Sequence, residues 1–89
     1  MDTLYDITII NKFTNDEGKI TTWPSKKTAK IEILKYLSTK FIKDKEYNEK
    51  EVNNIINCWH TFNDYFLLRR GLVDYKLINR TRDGSKYWI

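Results

Sequence analysis

The chain has 89 residues and a net charge of +4, which is enough for one domain built around one hydrophobic core. Aromatic residues make up 15% of the chain, so large rings can fill a small core and we do not expect disorder despite 31% charged residues. The single cysteine, Cys58, excludes an intrachain disulfide, and the apolar runs are too short to cross a bilayer.

Residues 1–24 predict an N-terminal β-hairpin. Residues 4–10 are rich in β-branched side chains and predict a first strand, and residues 19–23 predict a second. The Asn, Asp and Gly residues of positions 15–18 favour a turn between them. Pro24 ends the hairpin because it lacks an amide hydrogen for the ladder.

Three helices are predicted after this hairpin. Helix one begins near Ser25 or Thr28 and ends at about Phe41, with apolar residues spaced along one face. Helix two covers residues 49–60, where Asn48 is a good N-cap and Glu51 completes a capping box. Helix three covers residues 64–75, with Thr61 or Asn63 as its cap. Gly71 inside helix three costs about 1 kcal/mol relative to Ala, which indicates close packing at that position.

Residues 77–89 predict a second hairpin, because Asp83-Gly84 is a strong two-residue hairpin turn. Two helices joined by a short turn form a helix-turn-helix, and a hairpin directly after them is a wing. We therefore predict an α+β winged helix-turn-helix with an added N-terminal β-hairpin. It forms a single domain over residues 1–89, in which residues 25–89 are the three-helix core and wing.

From Gly18 to Trp88 the chain resembles the bacterial domain-of-unknown-function family 2087. The motifs that carry the resemblance are residues 18–26, 36–41, 47–53, 60–64, 67–74 and 80–88. The family pattern usually has Glu where this chain has Gly71, and Gly near Lys76. The resemblance implies an association with helix-turn-helix transcriptional regulators and supplies no established activity.

The basic residues of helix three and the wing predict binding to double-stranded DNA. In a winged helix the third helix enters the major groove and the wing contacts the flanking backbone. Residues 69–86 carry six Arg or Lys and two Asp. Lysines at the start of helix one could hold further phosphates. The candidate DNA-binding residues are Lys26, Lys27, Asn63, Phe66, Arg69, Arg70, Arg80, Arg82 and Lys86.

Two alternatives stay open for these residues. Arg69 and Arg70 could pair with Glu51, Asp64 or Asp74 and join the helices, and Arg80 could stack on Tyr87. The domain could then act as a protein-interaction module, a homodimer or a regulator partner. The surface aromatic residues for that role would be Trp23, Tyr65, Phe66 or Trp88.

We expect no enzyme activity, no metal and no cofactor. Cys58 and His60 form half of a zinc motif, and they point in different directions on a helix. We expect Cys58 in the core and His60 capping a helix or bonded to Asp64. Since the start of the chain lacks an export signal and the thiol is unpaired, we also expect a cytoplasmic protein that does not bind membranes.

Overall fold

The computed structural model describes residues 5–89, which form four helices and a small antiparallel sheet. The helices are α1 (Ile7–Phe13), α2 (Lys27–Ser38), α3 (Glu49–Cys58) and α4 (Tyr65–Asp74). The strands are β1 (Asn79–Arg80) and β2 (Tyr87–Trp88). The coarse α+β class is confirmed by this element order.

The predicted N-terminal hairpin is wrong, because its first strand is the helix α1. The Asp6 side chain caps this helix by accepting a hydrogen bond from the Thr8 amide. Ile10 and Phe13 are three residues apart and face the core together, which outweighs the β preference of the branched residues. Within residues 5–24 one antiparallel bridge joins Thr14 to Ile20, and Thr14 lies outside the predicted first strand. Leu4, the first residue of that predicted strand, lies outside the described residues.

Helix α2 ends three residues before the predicted end at Phe41. The hydroxyl groups of Ser38 and Thr39 donate to the carbonyl oxygens of Lys35 and Tyr36, which competes with continuation of the helix. Phe41 is nevertheless buried, edge-to-face against Tyr47. The chain therefore turns at this point without leaving the core.

The predicted start of the second core helix, α3, is confirmed. Asn48 accepts from the Glu51 amide, and the Glu51 carboxylate accepts from the Asn48 amide, so the capping box is complete. Val52 and Ile56 of this helix are fully buried. α3 ends at Cys58, two residues before the predicted end.

Helix α4 follows α3 after a turn of six residues. Its N-cap is Asp64, which accepts from the Leu67 amide, so the predicted caps Thr61 and Asn63 are wrong. His60 fixes the turn: its Nε2 accepts from the Asp64 amide, as expected, and its Nδ1 contacts the Ile56 carbonyl oxygen at 2.8 Å. Cys58 is exposed rather than in the core, because it lies on the side of α3 opposite the buried Val52 and Ile56.

The C-terminal hairpin has the predicted position but a different turn. Asn79 pairs with Trp88 and Arg80 with Tyr87, and a further bond joins the Thr81 amide to the Lys86 carbonyl. Four residues, 82–85, form the loop, and of these only Gly84 has a positive φ, of 75°. The predicted two-residue turn needs positive φ at both Asp83 and Gly84, so it is wrong.

Tyr87 joins the hairpin to the start of α3. Its amide donates to the Tyr47 carbonyl oxygen at 2.7 Å, and the Tyr47 amide donates back at 2.8 Å. Tyr47 thus forms an isolated antiparallel bridge with β2, directly before the Asn48 cap. Both tyrosines are buried, so the hairpin is held against the helical core.

Candidate nucleic-acid interface

Helix α4 and the hairpin meet at one shallow depression on the surface. Its volume is about 270 Å³, and it is lined by Phe66, Arg69, Arg70, Val73, Asp74, Arg80 and Tyr87. Four of these are candidate DNA-binding residues from the sequence. The fold therefore brings Phe66, Arg69 and Arg70 of α4 together with Arg80 of the hairpin.

Arg69 is turned towards α3. Its Nη1 donates to Asn53 Oδ1 and lies 3.7 Å from Glu49 Oε2, and its side chain is only 13% exposed. The guanidinium also lies over the rings of Tyr65 and Phe66, with 5.7 and 5.4 Å to the ring centroids. Arg69 therefore joins α3 to α4 and lies against two aromatic rings of α4.

Arg70 points to solvent. Its side chain is 69% exposed, and its Nε lies 3.6 Å from Asp74 Oδ2 one turn further along the helix. Exposed ion pairs of this kind contribute only about 0–1 kcal/mol. The Arg70 guanidinium can therefore leave Asp74 for a phosphate at little cost.

The hairpin presents three cations. Arg80 donates from Nε to the Thr81 carbonyl and from Nη2 to the Arg82 carbonyl, which holds its guanidinium against the loop. Arg82 is exposed at the loop tip. Lys86 Nζ lies 3.5 Å from Glu46 Oε1, and both side chains are more than half exposed.

Hydrogen bonds from Ser85 and Thr81 order the loop around Asp83. These bonds lower the pKa of the Asp83 carboxyl to about 2, so it stays ionised throughout the physiological range. The carboxylate is fully exposed. The loop that carries Arg82 therefore has a defined shape and also a fixed negative charge.

Of the remaining candidates, Phe66 lines the depression, whereas Asn63, Lys26 and Lys27 do not. Asn63 is exposed in the turn before α4 and has a φ of 53°, and Phe66 in the first turn of α4 is 55% exposed. Lys26 and Lys27 are exposed at the start of α2. Lys26 lines a different depression, between α1 and α2, so the structure does not bring it into the depression on α4.

A comparison with models of known protein families identifies the family of this chain. The family model described as "Uncharacterized protein conserved in bacteria (DUF2087)" matches residues 19–89. The chain belongs to this family. No curated protein and no solved structure matches the chain.

The DUF2087 match contains the whole depression and every candidate DNA-binding residue, whereas α1 lies before it. No helix among residues 5–89 of this DUF2087 chain has the length and apolar character needed to span a membrane. Over the same residues, no three His, Cys, Asp or Glu side chains gather in a way that could hold a metal ion.

Sequence reasoning missed the partners of Arg69. Glu49 and Asn53 are four residues apart and so share one face of α3, which is the signal that could have indicated them. The sequence named Glu51 instead, but Glu51 is engaged in the capping box. Asp74, one of the three acidic partners left open for Arg69 and Arg70, lies 3.6 Å from Arg70.

Proposed function

We propose that this DUF2087 chain is a winged-helix domain that binds duplex DNA through α4 and the hairpin and acts in bacterial transcriptional regulation. One observation carries the proposal: Arg70 of α4 and Arg80 of the hairpin line the same depression. A major-groove helix and a wing that contacts the flanking backbone require such a shared basic surface.

The order of elements supports the proposal. Helices α3 and α4 are consecutive and packed together, and the hairpin follows α4 directly. The two bonds between Tyr47 and Tyr87 fix the hairpin to the start of α3. A hairpin held in this way can contact the same duplex as α4, because its position relative to the helix is fixed.

The exposed cations supply the phosphate contacts. Arg70, Arg82 and Lys86 have exposed side chains, and the pairs that Arg70 and Lys86 form are surface pairs that a phosphate can replace. Asn63 and Phe66 lie before and within the first turn of α4, where a recognition helix contacts base edges. Arg69 acts as a positioning residue, since Asn53 and Glu49 hold its guanidinium.

Fluorescence anisotropy with a labelled duplex of mixed sequence, at low salt, tests the proposal. We expect Arg70→Gln, Arg80→Gln and Arg82→Gln each to weaken binding, because each loses a phosphate contact. Lys43→Gln is the matched control: it removes one charge from the exposed loop after α2, outside the depression. Equal affinity of all four variants and the wild type would reject this interface.

A second candidate function is protein docking through the same helix. Phe66 and Tyr65 are 55% and 38% exposed on α4, and Arg69, the cation nearest to them, is bound inward. Aromatic residues next to an arginine are typical of protein interfaces. Under this alternative, Phe66→Ala abolishes binding to a regulator domain or to a second copy of the chain. A wild type that stays monomeric at high concentration in sedimentation experiments would exclude the homodimer.

A further inference from the structure

A second depression, larger than the one on α4, lies between α1 and the start of α2. Its volume is about 580 Å³, within the range of about 300–1,000 Å³ that small-molecule sites occupy. Its walls come from α1, from the segment 22–26 and from the first turn of α2. It shares no lining residue with the depression on α4.

The walls of this depression are largely apolar. Phe13 and Trp23 contribute aromatic rings, and Ile9, Pro24 and Ala29 contribute aliphatic surface. Pro24 and Ala29 are buried, whereas the aromatic rings are half-buried and accessible from the depression. Such a surface favours a ligand with a flat or branched apolar body.

The charged side chains at its rim are all positive. Lys12 of α1 and Lys26 before α2 both line the depression and are exposed, and its lining contains no Asp or Glu among the described residues. Within residues 5–89 neither lysine forms an ion pair with a carboxylate. A third cation, Lys30 Nζ, lies 5.6 Å from the centroid of the Trp23 ring.

We infer that this depression binds a small organic carboxylate with an aromatic or branched apolar body. The apolar walls take the body, and Lys12 and Lys26 pair with the carboxylate at the rim. Hydroxyl groups at Thr22, Ser25 and Thr28 can donate to the second carboxylate oxygen. Because one wall is α1, which precedes residues 19–89, the site is not contained in the DUF2087 match.

The inference is tested with the whole chain and two probes of the same shape, 1-naphthoate and the uncharged 1-naphthamide. Binding is followed by NMR through the indole resonance of Trp23 and the amide of Ala29. We expect naphthoate to bind with a dissociation constant at or below about 1 mM, which is within the binding energy that a ligand of that size can supply. We expect naphthamide to bind at least about tenfold more weakly, because it lacks the charge that the lysines recognise.

Three variants complete the experiment. The double variant Lys12→Met with Lys26→Met keeps the aliphatic stems and removes both charges, so the preference for naphthoate should disappear. The control double variant Lys43→Met with Lys50→Met removes two exposed charges outside the depression and should keep the preference for naphthoate. Ser25→Trp fills the depression from an exposed position and should abolish binding of both probes.

Circular dichroism confirms that each variant is folded. The inference is overturned by an absence of saturable binding to the wild type or by equal affinity for the two probes. It is also overturned by an unchanged preference in the double lysine variant. None of these measurements involves DNA, so the inference can fail while the proposed function stands.

Discussion

The Arg69 guanidinium donates to Asn53 Oδ1 across the contact between α4 and α3. The residues are sixteen positions apart, and this bond is half-buried beside a second contact from Arg69 to Glu49. A residue that appears in the sequence as a DNA contact therefore ties the two helices together. Its loss should be felt first in stability and only secondarily in binding.

We expect Arg69→Met to lower the free energy of unfolding by about 1.5–3 kcal/mol, the range for hydrogen bonds to charged groups. Urea denaturation measures this change. Asn53→Ala should cost a similar amount, and the double variant should cost less than the two losses together, because both remove the same bond. Arg70→Met, at an exposed side chain, should change stability by less than about 0.5 kcal/mol. Additive losses at Arg69 and Asn53 would contradict this role.

Gly71 of α4 packs directly against Leu34 of α2. A Cβ built there would lie 3.0 Å from Leu34 Cδ1 and 3.1 Å from its Cδ2, and Leu34 is fully buried. We expect Gly71→Val to destabilise the domain by about 1–3 kcal/mol, since extra atoms in a packed core force the neighbours apart. Thermal unfolding measures the change in stability of Gly71→Val. The control is Asn54→Val, which introduces valine at an exposed helical position and so shows its effect where no core packing is involved. A Gly71→Val variant as stable as the wild type would show that Leu34 moves freely.

Lys76 ends α4 in a conformation that glycine prefers. Its φ is 60°, in the left-handed region. The Leu77 amide donates to the Leu72 carbonyl oxygen, and the Lys76 amide donates to the Val73 carbonyl oxygen. These two hydrogen bonds form a Schellman cap. We expect Lys76→Gly to stabilise the domain by about 1 kcal/mol, since a side chain is strained there. That gain raises Tm by about 4–8 °C in a chain of this size. Lys76→Ala keeps the strain and should give no such gain, so an equal rise in both variants would refute the explanation.

Asp83 gives a pH dependence with a defined sign. Its pKa is lowered from the ordinary 3.8 to about 2 by bonds from Ser85 and Thr81. Its contribution to stability is therefore present above pH 4 and is lost as the pH falls through about 2. An NMR titration of the Asp83 carboxyl in the wild type should show a pKa near 2. In Thr81→Val with Ser85→Ala it should return towards 3.8, and a wild-type pKa already near 3.8 would contradict the loop geometry.

Sequence signals that lie within a few neighbouring residues predicted part of the fold correctly. The capping box of Asn48 and Glu51 lies within four residues, so the sequence alone indicates where α3 begins. The N-terminal segment has no comparable signal, because Ile7, Ile9 and Ile10 favour a strand by composition. The burial of Ile10 and the Asp6 cap favour a helix instead. That burial depends on packing against α2, and the sequence does not show that the two segments pack together.

The sequence indicated four of the residues that line the depression, Phe66, Arg69, Arg70 and Arg80, but it did not indicate the partners of Arg69. Arg69 and Arg70 are adjacent in sequence, yet one is turned to α3 and the other to solvent. Which side each takes depends on how α4 is rotated about its axis by the packing of Leu68 and Leu72. Helical periodicity gives the buried face, but it does not say which α3 side chains that face meets.

The most direct test of the DNA interface is the salt dependence of duplex binding. With Arg70, Arg80, Arg82 and Lys86 each neutralising one phosphate, the slope of log K against log salt concentration should be about −3.6. In the triple variant Arg70→Gln, Arg80→Gln, Arg82→Gln the slope should fall to about −1, since one contact remains. No measurable affinity of the wild type at low salt, or the same slope in both proteins, would contradict the account.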